Sequence, residues 1–534
     1  MAVLQAGGFG QTALGSRSKA AGPNCRHLPA SDRARASCVQ TWTQDALVIA
    51  SVAPPGEGGY AKHLFDQIEV ASVRSRQPLS ARRTVAAGRM AALLLAVASL
   101  SGCETVNSVK NTFLGGSSAS GGSGPQRLGG FIGGAVADEP RAALAAREVL
   151  AIGGNAADAA VALGFTLAVT LPSRAGLGGG GGCLVYNPRQ DGPGGGVPEA
   201  VVFAPLATTE PNGPADRPAA LPMMARGLFS LHAKYGSRPF ESLVSPAEQL
   251  ARFGLPVSRA LLQDLAVVAG PLAQDPNARA VFAPGGQPLR EGSTLTQPDL
   301  GATLATLRTV GVGDLYQGGL ARKLEDGSRL AGGGMTVNDL RKALPRIGAP
   351  LTVRAGRDYA SFVPGDGGDQ AAAAFRALQE NPRDLGGAQA AAERGAARPA
   401  TTGFAVLDRN GNSVVCTLTM NNLFGTGRIA PGTGILLAAS PRAVPAPYLA
   451  AALAWNSNVH AFRAAVTGTG QDGAALAAAA ALNNTLRANS AMPATVPEPG
   501  RANVIACARY LPGNESLCSA AVDPRGAGLA SGSN

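Results

Sequence analysis

Two adjacent threonines, Thr401 and Thr402, lie where an Ala/Gly-rich segment gives way to the strand-like run TTGFAVLD. A threonine inside a chain is a weak nucleophile, but one at a free N-terminus carries an α-amine that can act as its base. That amine has a pKa of about 7.7–8.0, which suits proton transfer near neutral pH. Thr401 is therefore either an ordinary strand residue, as threonine commonly is, or a nucleophile released by cleavage of the Ala400–Thr401 bond.

A second hydroxyl group follows on the far side of a predicted hairpin. Asn410-Gly411 is a strong turn signal, and alternating apolar residues on both sides of it predict two half-buried strands. A three-residue loop would pair Thr401 directly with Thr419, whereas a two-residue loop would shift Thr419 by one position. Both registers bring the two hydroxyl groups close together.

Other reaction types find little support in the sequence. Two of the four histidines lie within residues 1–102, and the isolated His232 and His460 do not indicate a Ser-His-acid triad or a zinc site. No Cys-x-x-Cys spacing indicates a metal. The loop AGLGGGGGCLVYN lacks the Lys and Ser/Thr of a phosphate-binding loop, and it follows a helix pattern rather than a strand. We expect no metal and no cofactor.

Composition and charge argue against a nucleic-acid partner. The chain has 534 residues and a net charge of +11, but residues 1–102 alone hold 11 basic and 5 acidic residues. The rest of the chain is only weakly basic, whereas a nucleic-acid-binding surface needs clustered Lys and Arg. We therefore expect no nucleic-acid binding.

The N-terminal 102 residues predict export. The stretch RRTVAAGRMAALLLAVASLSGC combines arginines, an apolar run too short for a membrane span, and small residues before Cys103, as a secretory signal does. Its ending resembles a bacterial lipobox, which would make Cys103 the lipidated first residue of the mature protein. The alternative is a buried core helix preceded by unrelated arginines. We expect an envelope lipoprotein facing the periplasm, with residues 1–102 removed and residues 103–130 holding a Gly/Ser-rich linker.

The folded part is predicted to divide into a region of residues 131–400 and a region of residues 401–534. The first region opens with a helix, a Gly-Gly turn and a buried second helix that starts at or beside Asn155. Residues 366–400 are Ala/Gly-rich without a sheet pattern, which predicts an exposed connector leading to the hairpin.

Four cysteines remain outside the export segment: Cys183, Cys416, Cys507 and Cys518. An exported protein can form disulfides. Cys507 and Cys518 bracket a short loop, and the sequence leaves both the bridged and the free form of this pair open.

Five blocks of the sequence occur in the order seen in γ-glutamyltranspeptidases, and the resemblance extends over most of residues 131–356 and 399–437. The blocks are GGNAADAAVALGFTLAVTLPSRAGLGGGGGCLVYN, YGSRPFESLVSPAEQLARFGLPVS, LREGSTLTQPDLGATLATL, TTGFAVLDRNGNSVVCTLTMNNLFGTGRIAPGTGILL and DPRGAG. The chain is therefore identified as a divergent member of this family. The resemblance implies an α+β fold, the αββα sandwich of N-terminal-nucleophile hydrolases.

The same resemblance implies self-cleavage and a γ-glutamyl substrate. Thr401 would be the nucleophile, and cleavage after Ala400 would give a heterodimer of a large subunit, residues 103–400, and a small subunit, residues 401–534. The implied activity is transfer or hydrolysis of the γ-glutamyl group of glutathione and similar small amides.

Further site residues are assigned by position in the family's blocks. Thr419 would hydrogen-bond the nucleophile and support self-cleavage, and Asn421 would help to hold the glutamyl head group. Gly468 and Gly470 would be candidates for the backbone donors that stabilise the oxyanion.

The chain departs from the family pattern at several places, and three of them concern the site directly. Gly403 stands where the family usually has histidine, the strand AVVFAPLA has no arginine for the substrate α-carboxylate, and AASPRAVPAP has no carboxylate for the α-amine. Two alternatives therefore remain open. One is an acylase of this fold with another acyl substrate, and the other is a non-catalytic envelope lipoprotein that keeps the fold as a binding module.

Overall fold

The computed structural model describes residues 130–189, 196–209, 213, 215–393 and 399–532. The predicted export segment, its Cys103 and the Gly/Ser-rich linker lie outside the described residues. Within the described part of the chain, no helix combines the length and the apolar character that a membrane crossing requires.

Among the described strands, seven form one sheet and six form a second. The strands are β1 Gly133–Ala137, β2 Gly180–Tyr186, β3 Glu199–Phe203, β4 Leu206–Ala207, β5 Ala220–Leu221, β6 Leu255–Pro256, β7 Thr294–Leu295, β8 Arg346–Gly348, β9 Leu351–Ala355, β10 Asp358–Phe362, β11 Thr401–Asp408, β12 Ser413–Thr419, β13 Ile429–Ala430, β14 Ile435–Leu436, β15 Ala450–Asn456, β16 Ala461–Thr469, β17 Arg501–Leu511, β18 Cys518–Val522 and β19 Leu529–Gly532. The first sheet has the order β19-β1-β11-β12-β2-β3-β8, and the second has the order β18-β17-β16-β15-β10-β9.

Helices lie mainly on the outer faces of these sheets. The α-helices of the described residues are α1 Pro140–Ala151, α2 Ala156–Thr170, α3 Pro172–Ala175, α4 Met224–Tyr235, α5 Phe240–Phe253, α6 Arg259–Leu272, α7 Pro276–Phe282, α8 Pro298–Thr309, α9 Asp314–Gln317, α10 Gly319–Leu330, α11 Val337–Lys342, α12 Gly368–Glu380, α13 Leu385–Ala392 and α14 Ala474–Ala488. Short 3-10 turns occur at Pro284–Gly286, Gln471–Gly473 and Glu515–Leu517.

The two large sheets pack face to face through an apolar core. Successive side chains of a strand point to opposite faces of its sheet. Ala405 and Leu407 of β11 therefore meet Leu453 of the second sheet, while Phe404 faces the helices on the other side. Helices α2 and α4 pack on the outer face of the first sheet, and α12 and α14 pack on that of the second. This four-layer arrangement is the αββα sandwich that the sequence predicts.

The buried second helix begins where the sequence predicts it. The side chain of Asn155 accepts the backbone N–H of Asp158 at 2.9 Å, and the Asp158 carboxylate accepts the N–H of Asn155 at 3.0 Å. This reciprocal capping box satisfies two backbone donors that a helix N-terminus leaves free. Every residue of α2 is buried, because the helix lies between the first sheet and the outer helices.

The prediction of an exposed connector over residues 366–400 was wrong. Helices α12 and α13 occupy most of it, and Phe375 and Leu378 of α12 are fully buried against α14. Alanine has the highest helix propensity, and alanines on the facing sides of α12 and α14 let the helices pack closely. The Ala-rich composition therefore marked a packed helix layer rather than a loop.

The regions 131–400 and 401–534 are interleaved in space rather than being separate domains. Strand β1 lies between β11 and β19, strand β2 pairs with β12, and strand β10 pairs with β15. Each of these pairs joins one region to the other. Both sheets are therefore incomplete unless both regions are present.

Glu139, which caps α1, gives the fold a pH dependence. Its carboxylate accepts the N–H of Ala142 at 2.9 Å and is fully buried. Burial raises the pKa of Glu139 above its ordinary value of 4.5, although the hydrogen bond from Ala142 opposes this rise. A carboxyl group with a raised folded-state pKa stabilises the protein most when it is protonated. That contribution is lost as the pH rises through the folded-state pKa.

We therefore expect Glu139→Gln to raise the thermal midpoint at pH 7, because the amide keeps the capping oxygen and removes the buried charge. The difference from the wild type should shrink as the pH falls towards 4.5, and circular dichroism melts across this range measure it. Glu241→Gln, at an exposed position in the first turn of α5, is the control. A difference that does not change with pH would contradict the assignment.

Candidate active site

The hairpin of β11 and β12 takes the register of a three-residue loop, with Thr401 opposite Thr419. Asp408 holds the tip of this hairpin. One oxygen accepts the backbone N–H of Asn412 at 3.1 Å, and the other accepts the N–H of Ala156 at 3.1 Å. Burial raises the pKa of Asp408, while the hydrogen bonds from Asn412 and Ala156 oppose the rise. This carboxylate joins the hairpin to the start of α2.

Thr401 and Thr419 both face the second sheet and are fully buried. The Thr401 hydroxyl has no hydrogen-bond partner within the described residues. The Thr419 hydroxyl donates to the carbonyl oxygen of Ala400 at 3.5 Å, which is at the long limit for a hydrogen bond. Attack on the Ala400–Thr401 bond requires two things. The attacking hydroxyl must be free of other hydrogen bonds, and the carbonyl oxygen under attack must accept a hydrogen bond.

Asn421 lies directly beyond this pair. Its backbone N–H donates to the Thr419 hydroxyl at 2.9 Å, so the hydroxyl is free to direct its own proton towards Ala400. The side-chain amide donates to the carbonyl of Ala439 at 2.9 Å, while its oxygen is buried and unpartnered within the described residues. The structure thus brings Thr401, Thr419 and Asn421 together, and one acceptor of Asn421 remains open.

An ion pair contacts the backbone of Thr401. Arg174 donates to the carbonyl oxygen of Thr401 at 3.4 Å and to both oxygens of Asp264, at 2.8 and 2.5 Å. Ser173 donates to Asp264 at 2.6 Å. Burial lowers the pKa of Arg174, but the Asp264 carboxylate outweighs this effect and leaves the pKa above its ordinary value.

The sequence did not identify this ion pair as part of the site. Arg174 is visible in the block LPSRAGLGGG, which precedes the Gly-rich loop, but its partner lies in α6. A contact across 90 residues leaves no local pattern. The sequence offers only a general hint: an arginine next to a buried helix needs an acidic partner. It does not indicate which acidic residue that partner is.

Asp138 fixes the residues that follow Thr401. It accepts the Thr402 hydroxyl at 2.8 Å, the N–H of Gly403 at 3.1 Å and the side chain of Asn503 at 2.7 Å. Asn503 lies on β17 of the second sheet, so Asp138 connects the two sheets beside the site. Thr402 is therefore engaged in this contact, on the face opposite to Thr401.

Gly403, which departs from the family pattern, is explained by packing. A Cβ atom at this position would lie 2.5 Å from the Cβ atom of Thr467 on the facing sheet. Real Cβ atoms do not approach that closely, so a histidine here would need a different residue at 467 or a wider gap between the sheets. The glycine therefore sets how closely β11 and β16 approach.

Gly468 and Gly470 lie at the junction of β16 and α14. A Cβ atom at Gly468 would lie 1.9 Å from the carbonyl oxygen of Ala474, and one at Gly470 would lie 1.8 Å from that of Pro499. Close approach of backbone explains glycine at both positions. Their assignment as oxyanion donors for Thr401 stays a prediction.

Sequence comparisons relate this chain to gamma-glutamyltranspeptidases and glutathione hydrolases. Residues 142–380 and 367–443 match the family model of gamma-glutamyltranspeptidase. The chain is 29% identical over 370 residues to the glutathione hydrolase proenzyme of Escherichia coli (strain K12), across 54% of this chain and 63% of that protein. It is 34% identical over 227 residues to the glutathione hydrolase proenzyme of Bacillus subtilis (strain 168), across 40% of this chain and 38% of that protein. The matches thus span less than two thirds of these relatives.

A solved structure shares the fold. Cephalosporin acylase from Bacillus halodurans superimposes with a TM-score of 0.61 at 18% sequence identity, over 78% of this chain and 99% of that chain. At this identity the likeness establishes the fold alone. It agrees with the four-layer αββα sandwich that the strand order and helix packing show.

The ion pair at the site generates a test of stability. Asp264→Asn should lower the free energy of unfolding by about 1–3 kcal/mol, because it leaves the partly buried guanidinium of Arg174 without its counter-charge. The side chains of Arg174 and Asp264 are 23% and 4% exposed. Urea denaturation measures the change. The control is Asp216→Asn, which removes a pairing with Arg428 at a side chain that is 63% exposed. Equal losses in the two variants would contradict the role given to the buried pair.

Proposed function

The chain belongs to the gamma-glutamyltranspeptidase family, and on that premise we propose that it is an N-terminal-threonine hydrolase that cleaves itself before Thr401. The mature enzyme then transfers or hydrolyses γ-glutamyl amides such as glutathione. The observation that carries the proposal is the geometry at the scissile bond. The buried, unpartnered hydroxyl of Thr401 lies opposite Thr419, whose hydroxyl donates to the carbonyl of Ala400.

Self-cleavage follows from these groups. The Thr401 hydroxyl oxygen attacks the carbonyl carbon of Ala400, and the Thr419 hydroxyl supports the negative charge that develops on the carbonyl oxygen. The carbon–nitrogen bond breaks, and the hydroxyl proton passes to the departing nitrogen, which leaves an ester. Water then hydrolyses the ester, giving a carboxylate on Ala400 and a free α-amine on Thr401.

Turnover uses the amine that cleavage releases. The Thr401 hydroxyl oxygen attacks the γ-carbonyl carbon of the substrate while the α-amine accepts the proton. The amine product leaves with that proton, and water or an acceptor amine takes the γ-glutamyl group from the ester. In the intact chain Ala400 is only 8% exposed and Thr401 is fully buried. Substrate access therefore requires the new C-terminus at Ala400 to move away.

A different acyl substrate is the second candidate. Strand β3 has the sequence EAVVF and contributes no arginine, and the segment after GTGILL contributes no carboxylate. A free γ-glutamyl head group carries both charges, and it would lose charge-assisted hydrogen bonds at these positions. An acyl group without that pair of charges would lose nothing there.

We also propose that the protein works in the bacterial cell envelope, as a lipoprotein anchored through Cys103. The support is the signal-like sequence before Cys103 and two disulfides in the folded part, which are typical of oxidising compartments. The Gly/Ser-rich linker would let the folded part stand away from the membrane surface.

Cleavage can be tested directly. Wild-type protein should run as two bands under reducing conditions, with a new N-terminus Thr-Thr-Gly-Phe, and Thr401→Ala should run as one band. Thr419→Val should slow processing about 10²-fold, because it removes a donor to the developing oxyanion.

Thr417→Val is the matched control for Thr419→Val. Thr417 lies on the same strand and the same face, and its buried hydroxyl has no partner within the described residues. Its variant should process at the wild-type rate. Wild-type protein that stays whole would contradict self-cleavage and favour a catalytically degenerate binding module.

The substrate is tested with γ-glutamyl-p-nitroanilide. Cleaved wild type should release p-nitroaniline, and the rate should fall as the pH drops below about 7.7–8.0, because the α-amine must be unprotonated to act as a base. Thr401→Ala should release none. Cleaved protein that is silent on this substrate but hydrolyses an uncharged acyl anilide such as butyryl-p-nitroanilide would contradict γ-glutamyl specificity and favour the acylase.

A further inference from the structure

A disulfide crosses the boundary between the two regions of the chain. Cys183 of β2 and Cys416 of β12 lie opposite each other and are bonded, with a sequence separation of 233 residues. Thr401 lies between these cysteines in the chain. Cleavage before Thr401 would therefore leave one sulfur atom on each fragment.

We propose that the Cys183–Cys416 disulfide joins the large and small subunits as one covalent heterodimer after self-cleavage. The inference rests on the proposed cleavage before Thr401. It adds that the two subunits cannot separate until this bond is reduced.

The position of the bridge suits a permanent link. Strands β2 and β12 pair at seven positions, from Ser413 opposite Tyr186 to Thr419 opposite Gly180, and the cysteines form the middle pair. Both cysteines are fully buried in the core between the first sheet and the helices. A soluble reductant can reach the bond only if the strands open locally.

The bridge also lies close to the proposed cleavage site. Cys416 is three residues before Thr419 on strand β12. Cys183 is three residues after Gly180 on strand β2, and Gly180 pairs with Thr419. A covalent link at this point fixes β12 against β2 whether or not the Ala400–Thr401 bond is intact. The support for Thr419 therefore does not depend on chain continuity through residue 400.

The other contacts between the fragments are non-covalent. Strand pairs β1–β11, β1–β19 and β10–β15 each join one region to the other through hydrogen bonds and apolar packing. Such contacts can dissociate on dilution or denaturation. A disulfide keeps the partners at a high effective concentration under all non-reducing conditions.

Formation of the bridge is an oxidation. The thiols of Cys183 and Cys416 lose two protons and two electrons as the sulfur–sulfur bond forms. The oxidant is a disulfide-bearing thiol–disulfide exchange partner, which is reduced to its dithiol by way of a mixed disulfide. The proposed export would expose the chain to such partners.

The second disulfide supplies a matched control. Cys507 and Cys518 join β17 to β18 and are also bonded. Both lie after Thr401 and therefore in the same fragment. Removing this bridge changes a disulfide without changing the link between the subunits.

The test compares non-reducing and reducing gels of the full chain, expressed with export to an oxidising compartment and treated with an alkylating agent before denaturation. Wild type should run as one band of the summed mass without reductant and as two bands with it. Cys183→Ala/Cys416→Ala should give two bands in both gels. Cys507→Ala/Cys518→Ala should behave like the wild type.

Peptide mapping of the wild type covers the case in which the double variant fails to fold. A non-reducing tryptic digest should contain residues 175–189 joined to residues 410–428. Two bands from wild type without reductant, or these two peptides unlinked, would overturn the inference while self-cleavage stands. A single band in both gels would instead mean that the cleavage has failed, and the covalent heterodimer with it.

Discussion

The pairing of β11 with β12 is the constraint on which the rest of the site depends. Side chains alternate between the two faces of a sheet, so a slip of one residue would turn Thr401 away from the second sheet and towards the helices. Asp408 prevents such a slip because it ties the hairpin tip to the start of α2. With this register, Thr419 lies opposite Thr401 and its hydroxyl donates to the carbonyl of Ala400. The proposed cleavage needs no histidine, because both hydroxyl groups come from this hairpin.

Residues 131–400 and 401–534 contribute strands to the same two sheets. This interleaving explains how the fold could survive the proposed cleavage before Thr401. Strands on both sides of Thr401 belong to the same sheets, so the hydrogen bonds of β1, β2 and β10 to their neighbours do not depend on the bond that the proposed cleavage would break. Arg174, paired with the buried Asp264, holds the backbone carbonyl of Thr401. The peptide bond before Thr401 can therefore be lost while the groups around it stay in place.

Close packing between the two sheets explains why glycine stands at position 403, where the family usually has histidine. Thr467 of the facing sheet occupies the space that a side chain at position 403 would need. The two sheets approach each other more closely here than a histidine would allow. Under the proposed function, a substrate head group would have to be held without the arginine and the carboxylate that the family pattern supplies. Asn421, whose buried side-chain oxygen has no partner within the described residues, is a candidate for this role.

Local signals in the sequence determined the elements that lie within one stretch of chain. The Asn-Gly turn fixed the hairpin, the spacing on either side of it limited Thr419 to two registers, and the residues around Asn155 fixed the start of α2. The order of the family's blocks gave the four-layer fold. These features were predictable because a turn, a cap and an alternating strand each depend on neighbours in sequence.

Only the tertiary structure decided what depends on distant partners. The structure has the three-residue loop, and Gly368–Glu380 forms a helix because α14 supplies a surface for its apolar face. The Arg174–Asp264 pair and the contact of Gly403 with Thr467 join residues that no sequence pattern connects. The bridge between Cys183 and Cys416 is of the same kind, since four cysteines permit several pairings and only the apposition of β2 with β12 selects this one. Burial and pairing across hundreds of residues are properties of the assembled sheets, and a local stretch of sequence does not carry them.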